Sequence, residues 1–228
     1  MVAENLIKIR SRIELACRKS NRNFNEATIT AVTKTFSSEL ANEAVEAGIF
    51  DLAENYVQEF MHKKKALNDD RIRWHFIGHL QTNKVKFVAG QVELIQSVDS
   101  VRLAKEISDS CLSSNKKQNI LLEVNTSEEV TKFGIKPGEA HVVAEEIMRL
   151  PGLNLIGLMT IGRFSEDAEE SRYEFRMLKE IKSNLEQKGI PLKHLSMGMS
   201  NDFDVAIEEG ATIIRLGTAI FGNRDNKK

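Results

Sequence analysis

The chain has 228 residues, enough for one large α/β domain and short for two full ones. Lysine plus arginine is 32 against 33 aspartate plus glutamate, and the formal net charge of −1 argues against the basic excess of a nucleic-acid footprint. Charged residues at 29% and hydrophobic ones at 41% match ordinary globular usage and exclude a disordered, collagenous or coiled-coil chain. Two cysteines, Cys17 and Cys111, cannot build a disulfide framework and read as reduced structural thiols. No run approaches the ~18 apolar residues of a membrane span. The N-terminus has no apolar signal-peptide core, so the cytoplasm is the expected compartment, with no membrane and no nucleic-acid partner.

The first segment is an amphipathic helix, with Leu6, Ile9, Ile13, Ala16 and Cys17 on one face. Ile29–Thr33 is a short β-branched run of the kind that forms a buried parallel strand. Ser37 and Ser38 offer an N-cap to a helix that Gly48 stops. The strand Phe50–Ala53 precedes a polar helix from about Tyr56 to Leu67. Strand Arg73–Ile77 leads to a short helix, Asn83–Ala89, and Val92–Gln96 is the next strand. Asp99 or Ser100 caps a helix to about Cys111, and Ile120–Val124 is a strong strand. Pro137 opens a helix through Arg149. Strand Leu153–Met159 precedes a long helix carrying Phe175, Leu178, Ile181 and Leu185 on one face. His194–Met197, a short helix Asp202–Glu209, and Thr212–Leu216 close the series.

The alternation predicts eight strands, each but the last followed by a helix, with one extra helix in front. That pattern implies right-handed βαβ units and, at this length, a single (β/α)8 TIM-type barrel spanning residues 1–228. The rival is an open doubly wound sheet. No glycine fingerprint follows the first strand, so dinucleotide binding has no support.

Barrel sites form at the C-terminal ends of the strands. Lys34 directly follows an apolar strand there, where partial desolvation favours the neutral amine that a Schiff base needs. The competing reading is a lysine that snorkels from the strand end to solvent. The loops after the last two strands, Gly198-Met199-Ser200-Asn201 and Gly217-Thr218, present amides and a hydroxyl suited to a phosphate. Ordinary turn and capping chemistry explains the same residues one at a time. Arg215, inside an apolar strand, requires a partner. His75 and His79 have HxxxH spacing but no third ligand, so no metal site is expected. His62-Lys63-Lys64-Lys65 reads as the solvated face of a polar helix.

Seven motifs appear in order: AVTKT (Ala31 to Thr35), ENYVQE (Glu54 to Glu59), WHFIGHLQTNK (Trp74 to Lys84), KFGI (Lys132 to Ile135), GLMTI (Gly157 to Ile161), SMGMSND (Ser196 to Asp202) and RLGTAIFG (Arg215 to Gly222). Together they resemble the pyridoxal-phosphate homeostasis protein family, single barrels similar to the N-terminal domain of alanine racemase (fold-type III). One departure is Ala53, where the family often has glycine. The resemblance implies pyridoxal 5'-phosphate (PLP) as cofactor and Lys34 as its Schiff-base lysine. Met199, Ser200, Gly217 and Thr218 would lie at the phosphate, Arg215 would face the pyridine nitrogen, and Asn55 and His79 would line the pocket. An arginine at the ring nitrogen does not readily yield a proton, which weakens the cofactor as an electron sink.

The resemblance further implies a monomer that holds PLP and takes part in its homeostasis. Effects on amino-acid and keto-acid balance would follow, with PLP-dependent apo-enzymes as recipients. A racemase needs acid/base groups on both faces of the cofactor, and neither Tyr56 nor Tyr173 is an obvious second proton carrier. A non-enzymatic role is therefore expected. The alternatives are a PLP-dependent amino-acid racemase of weak or specialised activity and a cofactor-free barrel enzyme acting on a phosphorylated metabolite.

Overall fold

The computed structural model describes residues 1–127, 129, 131–163 and 165–223. Among them, eight parallel strands close into a barrel in sequence order. They are β1 (Thr28–Val32), β2 (Asp51–Glu54), β3 (Arg73–Phe76), β4 (Leu94–Val98), β5 (Gln118–Glu123), β6 (Leu153–Met159), β7 (His194–Ser196) and β8 (Ile213–Leu216). Closure is made by β8 against β1, in register from Thr28 opposite Ile213 to Ala31 opposite Leu216.

The helices form the outer ring: α1 (Val2–Lys19), α2 (Ser38–Glu46), α3 (Val57–Ala66), α4 (Val101–Ser113), α5 (Ala140–Met148), α6 (Arg172–Gln187), α7 (Phe203–Glu208) and α8 (Thr218–Phe221). The stripe expected on α1 is buried from Leu6 to Cys17. Arg12 fixes this helix against α7, its Nε donating to Asp204 at 3.0 Å while its guanidinium covers the Phe203 ring. Ser37 and Ser100 cap α2 and α4 through their hydroxyls, each accepting one N–H of the first turn. Cys17 and Cys111 are free and buried, and burial pushes both thiols up. No described helix is long and apolar enough to cross a membrane.

The differences from the expected elements are local. β4 begins two residues later than its apolar run because Gln118 occupies the turn before it. The Gln118 side chain accepts Gly90 N–H at 2.9 Å and donates to Val92 O at 3.1 Å. The segment after β3 is a 3-10 turn, Thr82–Phe87, rather than an α-helix. Pro137 opens a 3-10 turn from which α5 continues. The last strand also carries a helix, α8, four residues long and too short for its periodicity to show.

The core lies mainly between barrel and helices. Inside the barrel an apolar plug of Leu94, Leu121, Met159 and Ile213 is small. Much of the remaining interior is polar: Asp51, His75, Gln96, Glu123, Ser196 and Arg215 are all buried. Buried polar groups must be hydrogen-bonded, and this requirement organises the floor of the site.

Candidate functional site

A cavity of about 310 Å³ opens at the C-terminal ends of the strands. Lys34, half-buried, enters it from the turn after β1, and Arg215 from β8. Asn55, Met199, Ser200, Gly217 and Thr218 share its wall. Seven of the eight residues singled out in the sequence are thus brought together. His79 is placed elsewhere. Its Nδ1 is 3.3 Å from Asp99 Oδ2 and its ring stacks on Phe133, at a 4.0 Å centroid separation. His75, four residues earlier, faces the barrel interior, bound to Asp51 and Gln96. Among the described residues no three His, Cys, Asp or Glu side chains are grouped to hold a metal ion.

Two loops, those after β7 and β8, build much of the wall. Gly198 takes φ +90°, and a Cβ there would lie 2.5 Å from the Ala206 Cβ. Only glycine lets the chain turn out of β7 so close to α7. Asp202 then accepts Met199 N–H at 2.6 Å, closing the loop on itself. Burial raises the pKa of this carboxyl; hydrogen bonds from Met199 and Ser171 and the charge of Arg215 oppose the rise. Ser200 Oγ accepts Ala219 N–H at 3.1 Å, tying the β7 loop to the start of α8. Accepting that bond uses a lone pair, so the hydroxyl proton of Ser200 can still be donated.

Arg215 sits at the base. Its Nη1 donates to Ser196 Oγ at 2.6 Å and its Nη2 to Thr160 O at 2.8 Å. Burial lowers its pKa to about 10, partly offset by Asp202 and Glu123. It therefore remains a cation at neutral pH. The sequence required a partner for this arginine. It finds neutral oxygens as direct partners, with the carboxylates acting through charge. Glu123 is held up to about 7, by burial first and then by the charge of Asp99, against the pull of Arg215.

The hydrogen bonds continue inward. Ser196 Oγ donates to Gln96 Oε1 at 2.6 Å, Gln96 Nε2 meets His75 Nδ1 at 2.8 Å, and His75 Nε2 meets Asp51 Oδ1 at 3.0 Å. Burial would raise the Asp51 pKa, but His75 and Arg73 hold it below the usual carboxylate range.

Sequence reasoning missed Arg163 and Ser165, which also line the cavity. They lie in the long irregular connection after β6, where no periodicity marks a residue as inward-facing. Arg163 Nε donates to Glu174 Oε1 at 2.6 Å, and its backbone N–H to Glu174 Oε2 at 2.7 Å. Glu174 on α6 is fully buried, which draws this cation back to it, but the sequence shows the residue only as one acid in a charged helix.

Lys63 departs from the sequence reading as well. It is 3% exposed rather than solvated, and its Nζ donates to Glu54 Oε1 at 2.6 Å. Glu54 ends β2 inside the protein and needs a cation.

The sequence model described as "Alanine racemase, N-terminal domain" matches residues 5–225. A curated protein of Aquifex aeolicus named "Pyridoxal phosphate homeostasis protein" is 44% identical over 222 residues, covering 97% of each chain. The Escherichia coli K12 protein of the same name is 35% identical, over 100% of this chain and 98% of its own. The chain belongs to the pyridoxal phosphate homeostasis protein family. Solved structures agree. A protein from Bifidobacterium adolescentis superposes with a TM-score of 0.92 at 34% identity, covering 96% of this chain and 94% of the other. PipY of Synechococcus elongatus, solved with PLP bound, gives 0.85 at 29% identity over 97% of this chain and 100% of PipY. Alanine racemase of Clostridium difficile, at 16% identity and a TM-score of 0.75, shares the fold; this chain covers 57% of it.

Proposed function

We propose that the chain binds PLP in the cavity at the C-terminal end of the barrel, held as a Schiff base on Lys34, and takes part in PLP homeostasis. The observation that carries this reading is the cavity itself. It joins an amine, a buried guanidinium and a serine-glycine-threonine rim in one space, on a fold whose relative PipY was solved with PLP bound.

The donor set fits the cofactor group by group. The Lys34 amine matches its aldehyde, the Ser200 hydroxyl and the Gly217-Thr218 turn match its phosphate, and Arg215 suits an unprotonated ring nitrogen. Asn55, on the same wall, has a buried Oδ1 with no hydrogen-bond partner among the described residues. When bound, the cofactor supplies a carbonyl that condenses with the amine, releasing water, and a conjugated ring. Arg215, anchored on Ser196 and Thr160, orients that ring without giving it a proton. Met199 adds apolar wall area.

The protein's own groups favour holding over catalysis. Tyr56 and Tyr173 are 54% and 69% exposed, and neither lines the cavity. Asp202 is occupied with Met199 N–H. A racemase needs a second proton carrier opposite the lysine, and the described wall offers no tyrosine or histidine for it. In this reading the protein acts as a cytoplasmic monomer that buffers PLP and passes it to PLP-dependent apo-enzymes, which affects amino-acid and keto-acid balance.

Borohydride reduction of the full chain mixed with PLP, followed by peptide mass analysis, tests the reading. The expected result is a stable adduct on Lys34, absent in Lys34→Ala. PLP binding without an adduct would support the cofactor-free alternative, and Lys34-dependent deuterium exchange at Cα of amino acids would support the racemase.

A further inference from the structure

Lys34 occupies an unusual turn. Phe36 N–H donates to Thr33 O at 3.0 Å, closing a four-residue reverse turn with Lys34 and Thr35 at its corners. Thr35 has φ +67°. A positive φ at the third position of a turn suits glycine or asparagine, and a β-branched residue there is an outlier. Such a conformation persists only when its surroundings impose it.

Those surroundings are specific. Glu59 Oε2 accepts Thr35 N–H at 2.7 Å. Lys63 Nζ donates to Thr33 O at 2.6 Å, to Glu54 Oε1 at 2.6 Å and to Glu59 Oε2 at 3.1 Å. An ammonium has three N–H groups, and here three acceptors use them. Thr33 Oγ1 donates to Glu54 Oε1 at 2.6 Å, so the turn is held at both ends. Glu59 and Lys63 are one helical turn apart on α3, with the acid toward the N-terminus, the favourable order. Glu54 is fully buried and its Oε2 has no hydrogen-bond partner among the described residues. A buried ion pair of this kind is weak as a stabilising device, because apolar residues of similar volume often serve as well. What these groups do that apolar ones could not is grip the backbone on either side of Lys34. None of the three lines the cavity, so they act on it through the turn.

We propose that Glu59 and Lys63 are positioning residues that hold Thr35 in its left-handed conformation and thereby present the Lys34 amine to the cavity. The proposal rests on the reading of Lys34 as the PLP-binding lysine.

The test is a double-mutant cycle on the full chain. PLP affinity is read by titration, the rate of the borohydride-trapped adduct by mass, and the thermal midpoint without PLP by melting. Glu59 is partly exposed, so Glu59→Ala should fold. It is expected to weaken PLP binding and slow trapping about tenfold, the scale of one strained backbone conformation. Thr35→Gly should bind PLP nearly as the parent does, because glycine adopts this φ without help. In the Thr35→Gly background the same Glu59→Ala change should then cost no more than about twofold in affinity, the signature of a clamp whose load has been removed. It should also lower the PLP-free melting midpoint less there than in the parent. Equal losses in both backgrounds, or no loss in Glu59→Ala, would overturn the clamp while leaving Lys34 as the PLP lysine. Absence of a Lys34 adduct in the parent protein would instead overturn the underlying reading, and the clamp with it.

Discussion

Arg215 Nη1 and Ser196 Oγ are 2.6 Å apart, and this bond is the hinge between the cavity floor and the barrel interior. The serine hydroxyl accepts from Arg215 and donates to Gln96 Oε1, so it satisfies two buried groups at once. Ser196→Ala removes a partner from each. It should lower stability by about 1–3 kcal/mol, the cost of leaving buried polar groups unpaired. For a chain of this length that is a fall of several degrees in melting midpoint. PLP affinity should fall as well, because Arg215 loses one of its two anchors. Differential scanning calorimetry and PLP titration check both; an unchanged melting midpoint would show that Ser196 does not carry this load.

Gly198→Ala should be more damaging than its size suggests. The added methyl would meet Ala206 Cβ at 2.5 Å, on a backbone with φ +90°. The expected loss is about 2 kcal/mol or more. Because Met199 and Ser200 follow directly, PLP affinity should fall beyond what the stability loss explains. Chemical denaturation beside PLP titration separates the two effects.

Glu123 gives the folded state a pH dependence. Its pKa is raised to about 7 by burial, so between the ordinary carboxylate range and about 7 the folded protein binds a proton that the unfolded chain has released. Stability from this group is therefore greatest at acid pH and falls as pH rises toward 7. Glu123→Gln removes that slope. The variant should match the parent near pH 4 and exceed it near pH 8 by up to about 3 kcal/mol. Urea midpoints for both proteins across that range decide it; identical pH profiles would contradict the assignment.

Arg163→Ala would remove a guanidinium from the cavity wall and take the Nε donor from the fully buried Glu174. The carboxylate would keep the Arg163 backbone N–H. The melting midpoint should fall, and Glu174→Gln in the same chain should recover part of the loss by removing the buried charge. Thermal melts of the single and double variants provide the comparison.

The barrel was legible because its signals are local. Runs such as Ile120–Val124 and Leu153–Met159 are mostly apolar, and Gly48, Gly189 and Gly210 stop three of the helices between strands. Lys34, Ser200, Arg215 and the Gly217-Thr218 turn could be placed at the cavity from the strand pattern: Lys34 and Gly217 closely follow β1 and β8, Arg215 lies inside β8, and Ser200 is in the loop after β7. What stayed hidden depends on contacts distant in sequence. Lys63 belongs to a basic run on a polar helix, and only the burial of Glu54 nine residues earlier turns it inward. Arg163 sits in an irregular connection whose direction is set by Glu174 on α6. His79, which the resemblance puts on the pocket wall, is not among the residues lining the cavity and instead meets Asp99 and Phe133. The start of β4 moved because the Gln118 side chain, from the next strand, takes the place of backbone pairing.

The interior chain from Arg215 to Asp51 has a direction. Ser196 and Gln96 could each be turned to exchange donor and acceptor, and His75 could carry its proton on either nitrogen. Arginine has no such freedom, since it can only donate. Once Arg215 gives a hydrogen to Ser196, Ser196 gives one to Gln96, Gln96 offers its amide to His75 Nδ1, and the His75 proton falls on Nε2, toward Asp51. One residue at the floor of the cavity thus sets the tautomer of a histidine deeper in the barrel. No member of the row can reverse alone.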